Sequence, residues 1–496
     1  MTASADTAQA AALGELLAAR VAAGERFAGM FAAAPPGEPP AAKPAGGLLI
    51  SAHLAVQGGV DTVDAVLPPG AASYPAVTRH IGAAFWYERE MRDMFGVTPE
   101  GHPRPERLIL PPGDEHTLAR HVTGQGMFTI PHGPVRSGVF ESIEYLVETP
   151  GEDIPHLNMR VFYKHRGIGK RFEGLTAADG VVLAERVEGI SSVAHALAYC
   201  NAIERIAGCA PPRPAQLVRV LHAELERIAN HLDVAGRLAD AAGLAVATAR
   251  FGLHKERVLR LVSRLSGSRY GRGVVVPGGV GALPQAGPSD VFAEVGRLEP
   301  AISSDAAALM GTASFLDRLR RTGPLLPDRA REHGALGPIG RASGFADDAR
   351  LVRPYDAYSW LNLPSGEPHA PGGPHTQGDA LARLRVRFQE ISQSFHLIRQ
   401  AVGELSEAAP GSGEAVGSLA AACEPVDGRA VGWAEAPQGE VLYDVRMAGG
   451  RIAGCRPRSA SFHNLVLMHE VFAGDILTDF PFIEASFGLS VAGVAL

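Results

Sequence analysis

Four cysteines, at positions 200, 209, 423 and 455, are the only thiols in 496 residues. No two of them stand in C-x-x-C spacing, at which paired thiolates grip a metal or cycle as a disulfide. Cys200 and Cys209 lie nine positions apart, about 180° around one helix at ~100° per residue, so they cannot share a site on one face. Cys423 and Cys455 read as small buried hydrophobes. Proton-handling residue types stand elsewhere, with His132 in IPHGPVRSG, His165 and Arg166 in YKHRGIGK, and Glu188 and His195 in RVEGISSVAHALAYC. A carboxylate buried beside imidazole and guanidinium can relay a proton, because burial and neighbours tune its pKa. Taken singly, His165 and His195 read as structural side chains bonded to a carbonyl or carboxylate. The glycine-rich stretch VVVPGGVGALPQAGP (274–288) is not followed by a helix with a phosphate-binding pattern. Without a P-loop or a dinucleotide fingerprint, NAD binding by this chain has no support.

The elements around these residues follow from pattern. Length implies two or three domains. Hydrophobic residues at 46% and charged residues at 20% fit a globular fold. The net charge of -7, with no dense Lys/Arg cluster, excludes nucleic acid as a partner. No run of about 18 apolar residues is present, so no transmembrane segment is expected. The first residues carry Asp6 and no basic stretch before an apolar one. They do not read as a signal peptide, which implies a cytoplasmic location.

Residues 8–33 are Ala-rich and predict a helix, and residues 32–47 predict a Pro/Gly linker. Residues 48–56 predict a strand. Residues 85–96 predict a helix with Gly96 just past its end. Alternation over 138–149 predicts a strand with 159–167 as its hairpin partner. Helices are predicted over 191–208, with Ser191 or Ser192 as N-cap, and over 215–236, with Leu217, Leu221, Leu225, Ile228 and Leu232 on one stripe. Further helices are predicted over 250–267, 291–322 and 378–406.

Two stretches carry a family resemblance. FWYEREMRDMFGVTPEGHPRPERLIL (85–110) resembles the short 30-kDa type component of complex I through Trp86, Glu88, Arg89, Glu90, Asp93, Phe95, Gly96, Gly101, His102 and Pro103. From about residue 124, the chain resembles the D-type component of complex I and the large subunits of group 4 membrane-bound hydrogenases, including formate hydrogenlyase. That resemblance rests on YKHRGIGKRFE (163–173), RVEGISSVAHALAYCNAIE (186–204), LHAELERIANHL (221–232), GPIGRASG, GDALARLRVRFQEI (378–391), WAEAPQG (433–439) and ASFGLSVAG. A fused C/D-type arrangement is itself typical of the group 4 type. The resemblance implies an α+β fold. Residues 1–47 would form an N-terminal helix and linker, and 48–120 a small α/β module of the 30-kDa type. Residues 124–496 would form a mainly helical domain like a hydrogenase large subunit, with a small β-sheet.

The resemblance also implies where a metal would sit. In the hydrogenases, two C-x-x-C pairs supply soft thiolates to nickel and iron. The corresponding positions here are Glu188 and Ser191, then Ser490 and Gly493, so no metal ligand set remains. Cys200 cannot substitute, since twelve helical residues beyond Glu188 is roughly 18 Å at about 1.5 Å per residue. Gly169 stands where the family has a carboxylate, and Gln438 where it often has Arg. The quinone-binding His and Tyr of complex I fall on Ser137 and Gly189, with His132 as a substitute for the former. Glu188, His132 and His195 are therefore the candidate catalytic residues, and Ser137, His165, Arg166, Ser191 and Ser490 the candidate pocket lining. Glu188 either enjoys the helix dipole or works on protons.

The function so implied is an oxidoreductase subunit acting only in a complex at the inner face of the cell membrane. It would pass electrons to quinone or another small redox partner, coupled to proton movement. The expected partners are a small subunit bringing iron–sulfur clusters and membrane-embedded proton-translocating subunits. Alternatives are a silent scaffold and a hydrogenase with non-standard ligands.

Overall fold

The computed structural model describes residues 6–33, 47–109, 122–136, 141–281, 284–364, 376–408, 420–424 and 426–496. Ser137 and most of the expected Pro/Gly linker lie outside them.

The amino-terminal part is a four-stranded sheet. Its strands are β1 (Asp6–Gln9), β2 (Arg26–Ala33), β3 (Leu48–Val56) and β4 (Gly59–Leu67), in spatial order β1-β4-β3-β2, with β1 parallel to β4. The helix expected over 8–33 is confined to Leu13–Ala22. Phe27, Met30 and Phe31 belong to β2 and pack into the core. Pairing along β3 outweighs the local helix preference of an Ala-rich segment.

The Phe85–Phe95 helix lies against this sheet and ends on Gly96, whose φ is +70°. Its polar motif residues turn inward to brace loops. Glu88 accepts hydrogen bonds from the Val77 and Thr78 amides at 2.7 and 3.0 Å. Asp93 accepts from Leu108 and Ile109 at 2.6 and 2.8 Å. Arg89 donates to the Glu106 and Arg107 carbonyls. The motif is thus a scaffold of satisfied buried backbone groups.

A three-stranded antiparallel sheet follows, of Phe128–His132, Glu144–Thr149 and His156–Arg160. The hairpin partner expected at 159–167 starts three residues earlier. It stops at Arg160, and Phe162–Lys164 coils into a 3₁₀ turn.

The helical half centres on Ser192–Ala207, Arg213–Ala241, Ala245–Ser266, Pro288–Met310 and Ala380–Ala408. The expected stripe of Leu217, Leu221, Leu225, Ile228 and Leu232 is fully buried. The helix expected over 291–322 breaks at Gly311, and a separate helix, Ala313–Leu319, continues. Against these helices packs an antiparallel sheet of Gly428–Ala436, Gly439–Ala448 and Arg451–Arg458.

One hydrophobic core joins the amino-terminal sheet to the carboxy-terminal segment, including Tyr87, Phe462 and Phe487. Buried ion pairs reinforce the seam. Glu440 accepts from Arg26 of β2 at 2.8 Å, from Arg353 at 3.0 Å and from Arg458 at 2.7 Å.

Candidate functional site

Three chain segments meet at Glu188, namely the turn before the Ser192–Ala207 helix, residues 459–461 and the last residues 490–493. Arg166 clamps the first and third, donating to the Val187 and Ala492 carbonyls, both at 2.5 Å. Burial lowers its guanidinium pKa, and Glu188 and Glu141 act against that shift.

Glu188 is 1% exposed and His195 not at all. Glu188 Oε1 lies 3.4 Å from His195 Nε2. That is ion-pair reach, yet neither atom makes a hydrogen bond. The other face of the imidazole is fixed, since its Nδ1 is 2.8 Å from the Tyr443 hydroxyl. Burial, then Cys455 and Glu188, holds that phenol protonated, well above its usual range. A protonated phenol donating to Nδ1 makes Nε2 the protonated nitrogen, and it faces Glu188. Glu188 Oε2 accepts only from Ser461 Oγ, at 3.3 Å. Nearby, Ser192 Oγ is buried and unpartnered.

The four positions expected to hold thiolates in a hydrogenase come together here, and the side chains of the two serines among them are otherwise engaged. Ser191 Oγ donates to Gln438 Oε1 at 2.6 Å. Ser490 Oγ donates to Glu141 at 2.6 Å. Gly493 has no side chain, and a Cβ built on it would overlap Glu188 Oε2. The carboxylate therefore fills the space a residue at 493 would need. One carboxylate and two committed hydroxyls are hard oxygen donors, which do not fit a nickel–iron centre. Among the described residues, no group of three or more His, Cys, Asp or Glu could hold a metal ion.

Other expectations part company with this cluster. Ser191 occupies the N-cap position, but its hydroxyl makes no cap bond. Glu226, from the Arg213–Ala241 helix, accepts from the Val193 and Ala194 amides at 2.8 and 3.1 Å instead. A side chain with two oxygens, anchored on a neighbouring helix, accepts from both amides, whereas the Ser191 hydroxyl is claimed by Gln438. His132 is exposed, stacks on Tyr145 and meets Phe480. His165 lines a separate cleft with Gly169, Lys170 and Arg456. There a Cβ on Gly169 would press on the Arg456 guanidinium. Cys209 and Cys423, far apart in sequence, touch through their sulfurs at 2.7 Å. Cys423 packs against the core as expected but is only half-buried, whereas Cys455 is fully buried.

Sequence reasoning missed Glu141, Tyr443, Ser461 and Glu226 as site residues, although Glu226 lies within the 221–232 stretch that carries the resemblance. Only the acidic residue types of Glu141 and Glu226 hinted at a role.

A pocket of about 340 Å³ begins at Gly189, the residue after Glu188, and neither Glu188 nor His195 lines it. Its wall includes Gly189, Ile190, Val193, His222, Glu226 and Asn230. No atom lies within 4 Å of a Cβ placed on Gly189, so the pocket occupies the space of a missing side chain. His222 is 2% exposed and its Nδ1 has no partner. Burial lowers its pKa to about 4, so the ring is neutral. Burial raises Glu226 to about 8, despite its amide partners, and Glu188 adds to the rise.

Comparison with known proteins places the chain in a family. Residues 243–495 match the respiratory-chain NADH dehydrogenase 49 kDa subunit family, and residues 49–125 match the 30 kDa subunit family. Formate hydrogenlyase subunit 5 of Escherichia coli (strain K12) is 27% identical, over 83% of this chain and 75% of its own length. Hydrogenase-4 component G of the same strain is 27% identical, over 86% and 76%. The fused C/D-type subunit of NADH-quinone oxidoreductase from Rhodopseudomonas palustris (strain BisB5) is 28% identical, over 67% and 64%.

Proposed function

The chain belongs to the respiratory-chain NADH dehydrogenase 49 kDa subunit family, and from that premise we propose how it works. It is a subunit of a membrane-associated, complex I-like oxidoreductase. Among the described residues, no helix is long and apolar enough to cross a membrane. The chain docks peripherally on the cytoplasmic face, beside membrane-embedded proton-translocating subunits and a small iron–sulfur subunit. Electrons from that subunit reach a quinone or another small acceptor in the pocket at Gly189. The acceptor takes up two electrons and two protons, and Glu188 and His195 relay the protons.

The observation that carries this reading is the placement of a buried, under-bonded Glu188–His195 pair next to a pocket of ligand size. A buried polar atom without a partner costs about 1–3 kcal/mol, so its retention calls for a use. A pocket of about 340 Å³ falls within the usual range of small-molecule sites, roughly 300–1,000 Å³. The neutral His222 ring and Glu226 offer polar contacts to a carbonyl head group. The thiolate-free ligand positions support a reaction without nickel and iron.

A silent scaffold is the second reading, favoured by the complete enclosure of the pair, whose side chains are both 0% exposed. Reduction of a water-soluble quinone by the intact purified complex separates the two. Activity lost in both Glu188→Gln and a pocket-filling Gly189→Trp, with assembly intact, is the expected outcome. An intact wild-type complex without activity would favour the scaffold. Nickel near one atom per chain would overturn the metal-free reading.

A further inference from the structure

The Ser192–Ala207 helix carries the Glu188–His195 site at its beginning and a different feature at its end. Gly208 turns there in the left-handed region, and the Cys209 amide donates to the Glu204 carbonyl at 3.0 Å. Residues 420–424 return to the body at the same place. The Ala421 amide donates to the Gly278 carbonyl at 3.0 Å, and Ala420 bridges to Gly279. A Cβ on Gly278 would overlap the Ala421 carbonyl and crowd Cys423, so glycine permits the close approach. These two turns bring the sulfurs of Cys209 and Cys423 to 2.7 Å.

That separation is well inside an ordinary contact between sulfurs and only somewhat longer than a disulfide bond, about 2.05 Å. Both side chains are half-buried, within reach of small reagents. Cys200 and Cys455 are fully buried, and burial pushes both thiols well up.

We propose that Cys209 and Cys423 form a reversible dithiol–disulfide site, oxidised by low-molecular-weight disulfides, that fastens the 420–424 segment to the end of the Ser192–Ala207 helix. The exchange balances in two steps. The Cys209 thiolate attacks one sulfur of the small disulfide, and the bond between its two sulfurs breaks. One small thiolate leaves and takes the proton that Cys209 released. Cys423 then attacks the Cys209 sulfur in the mixed disulfide. The second small thiolate leaves and takes the Cys423 proton. The protein sulfurs are oxidised and the small disulfide is reduced. Burial, and then the Cys209 thiol, pushes Cys423 up to about 12, which disfavours Cys423 as the first nucleophile. The Ser192–Ala207 helix has 16 residues, which puts this site ~24 Å from the Glu188 end at about 1.5 Å per residue. The thiol pair is therefore independent of the proposed function.

The test uses the full chain in its purified complex, equilibrated with graded ratios of reduced and oxidised glutathione. Free thiols are then alkylated and peptides mapped without reduction. Two alkylatable thiols should disappear together, and a linked Cys209–Cys423 peptide about 2 Da lighter than its two parts should appear. Reduction should restore both thiols. Cys209→Ser and Cys423→Ser should each abolish the linked peptide, and Cys200 and Cys455 should stay unchanged. Separate glutathionylation of Cys209 and Cys423 in the wild type, without a linked peptide, would overturn the proposal. So would both thiols remaining alkylatable at the most oxidising ratio.

Discussion

Two clusters of buried charge sit in the helical half of the molecule, and they are built on opposite rules. Around Glu224, charge is matched and bonded. Arg350 forks onto Asp348 at 3.0 and 2.8 Å and reaches Glu224 at 3.2 Å. Glu224 also accepts from Tyr358 and Ser394, at 2.5 and 2.6 Å. Arg227 binds Glu224 and two backbone carbonyls. Around Glu188, burial is as deep, but Glu188 Oε1, His195 Nε2 and Ser192 Oγ have no hydrogen-bond partner. Burial of charge therefore does not by itself separate the two clusters. What distinguishes the second cluster is unused bonding capacity beside a cavity.

The largest effect that could break this contrast is expected at Arg350. Arg350→Ala leaves Asp348 buried without its main partner and takes one of several from Glu224, at a cost of about 3–5 kcal/mol. Denaturant unfolding of the variant measures it. A loss below about 1 kcal/mol would mean that the network is not structural.

The two regions should also answer pH with opposite sign. Burial pushes the Asp348 carboxyl up, but Arg350 and Arg341 overcome this and hold it far below its usual value. Its folded pKa is depressed, so its stabilisation is present above the unfolded pKa of about 4 and is lost as pH falls below it. Glu226 behaves in reverse. Its folded pKa is raised from 4.5 to about 8, so the folded chain keeps a proton that the unfolded chain has released. Stability contributed there falls as pH rises through that window. Glu226→Gln should flatten the decline by an amount on the order of a few kcal/mol, read from unfolding midpoints against pH. An unchanged profile would show that Glu226 does not titrate in this window.

A smaller effect tests whether Glu188 fills the space beside Gly493. Gly493→Ala should cost about 1–3 kcal/mol by overpacking. The same change in a Glu188→Ala background should cost little, giving a coupling energy of similar size in a double-mutant cycle. Additive costs would show that the two positions do not compete for space.

The smallest effect is expected for Glu188→Gln alone, within about 1 kcal/mol in stability, because little bonding is lost. A loss matching that of Arg350→Ala would erase the distinction between the clusters.

Much of the frame was legible in the sequence, because its causes are local or periodic. The apolar stripe of Leu217 to Leu232, the stop at Gly96 and the strand at 48–56 each depend on near neighbours. The four positions that the resemblance aligns with hydrogenase thiolates could also be placed in the sequence, through motifs that keep their spacing. The segment 8–33 was misread because pairing along β3 is a long-range interaction that composition does not carry. The N-cap of the Ser192–Ala207 helix was read correctly at Ser191, but the group that satisfies the following amides was not, since Glu226 reaches them from another helix.

By itself, then, the sequence determined the family, the apolar helix stripes of the second half and the absence of thiolates at 188, 191, 490 and 493. The tertiary structure alone decided that Glu188 points into the space beside Gly493, that Tyr443 orients His195, that a pocket begins at Gly189 and that Cys209 meets Cys423. Residue type and spacing set what each position can do. Contacts between residues hundreds of positions apart set what it does, because burial and unmet bonding exist only once those segments have packed together.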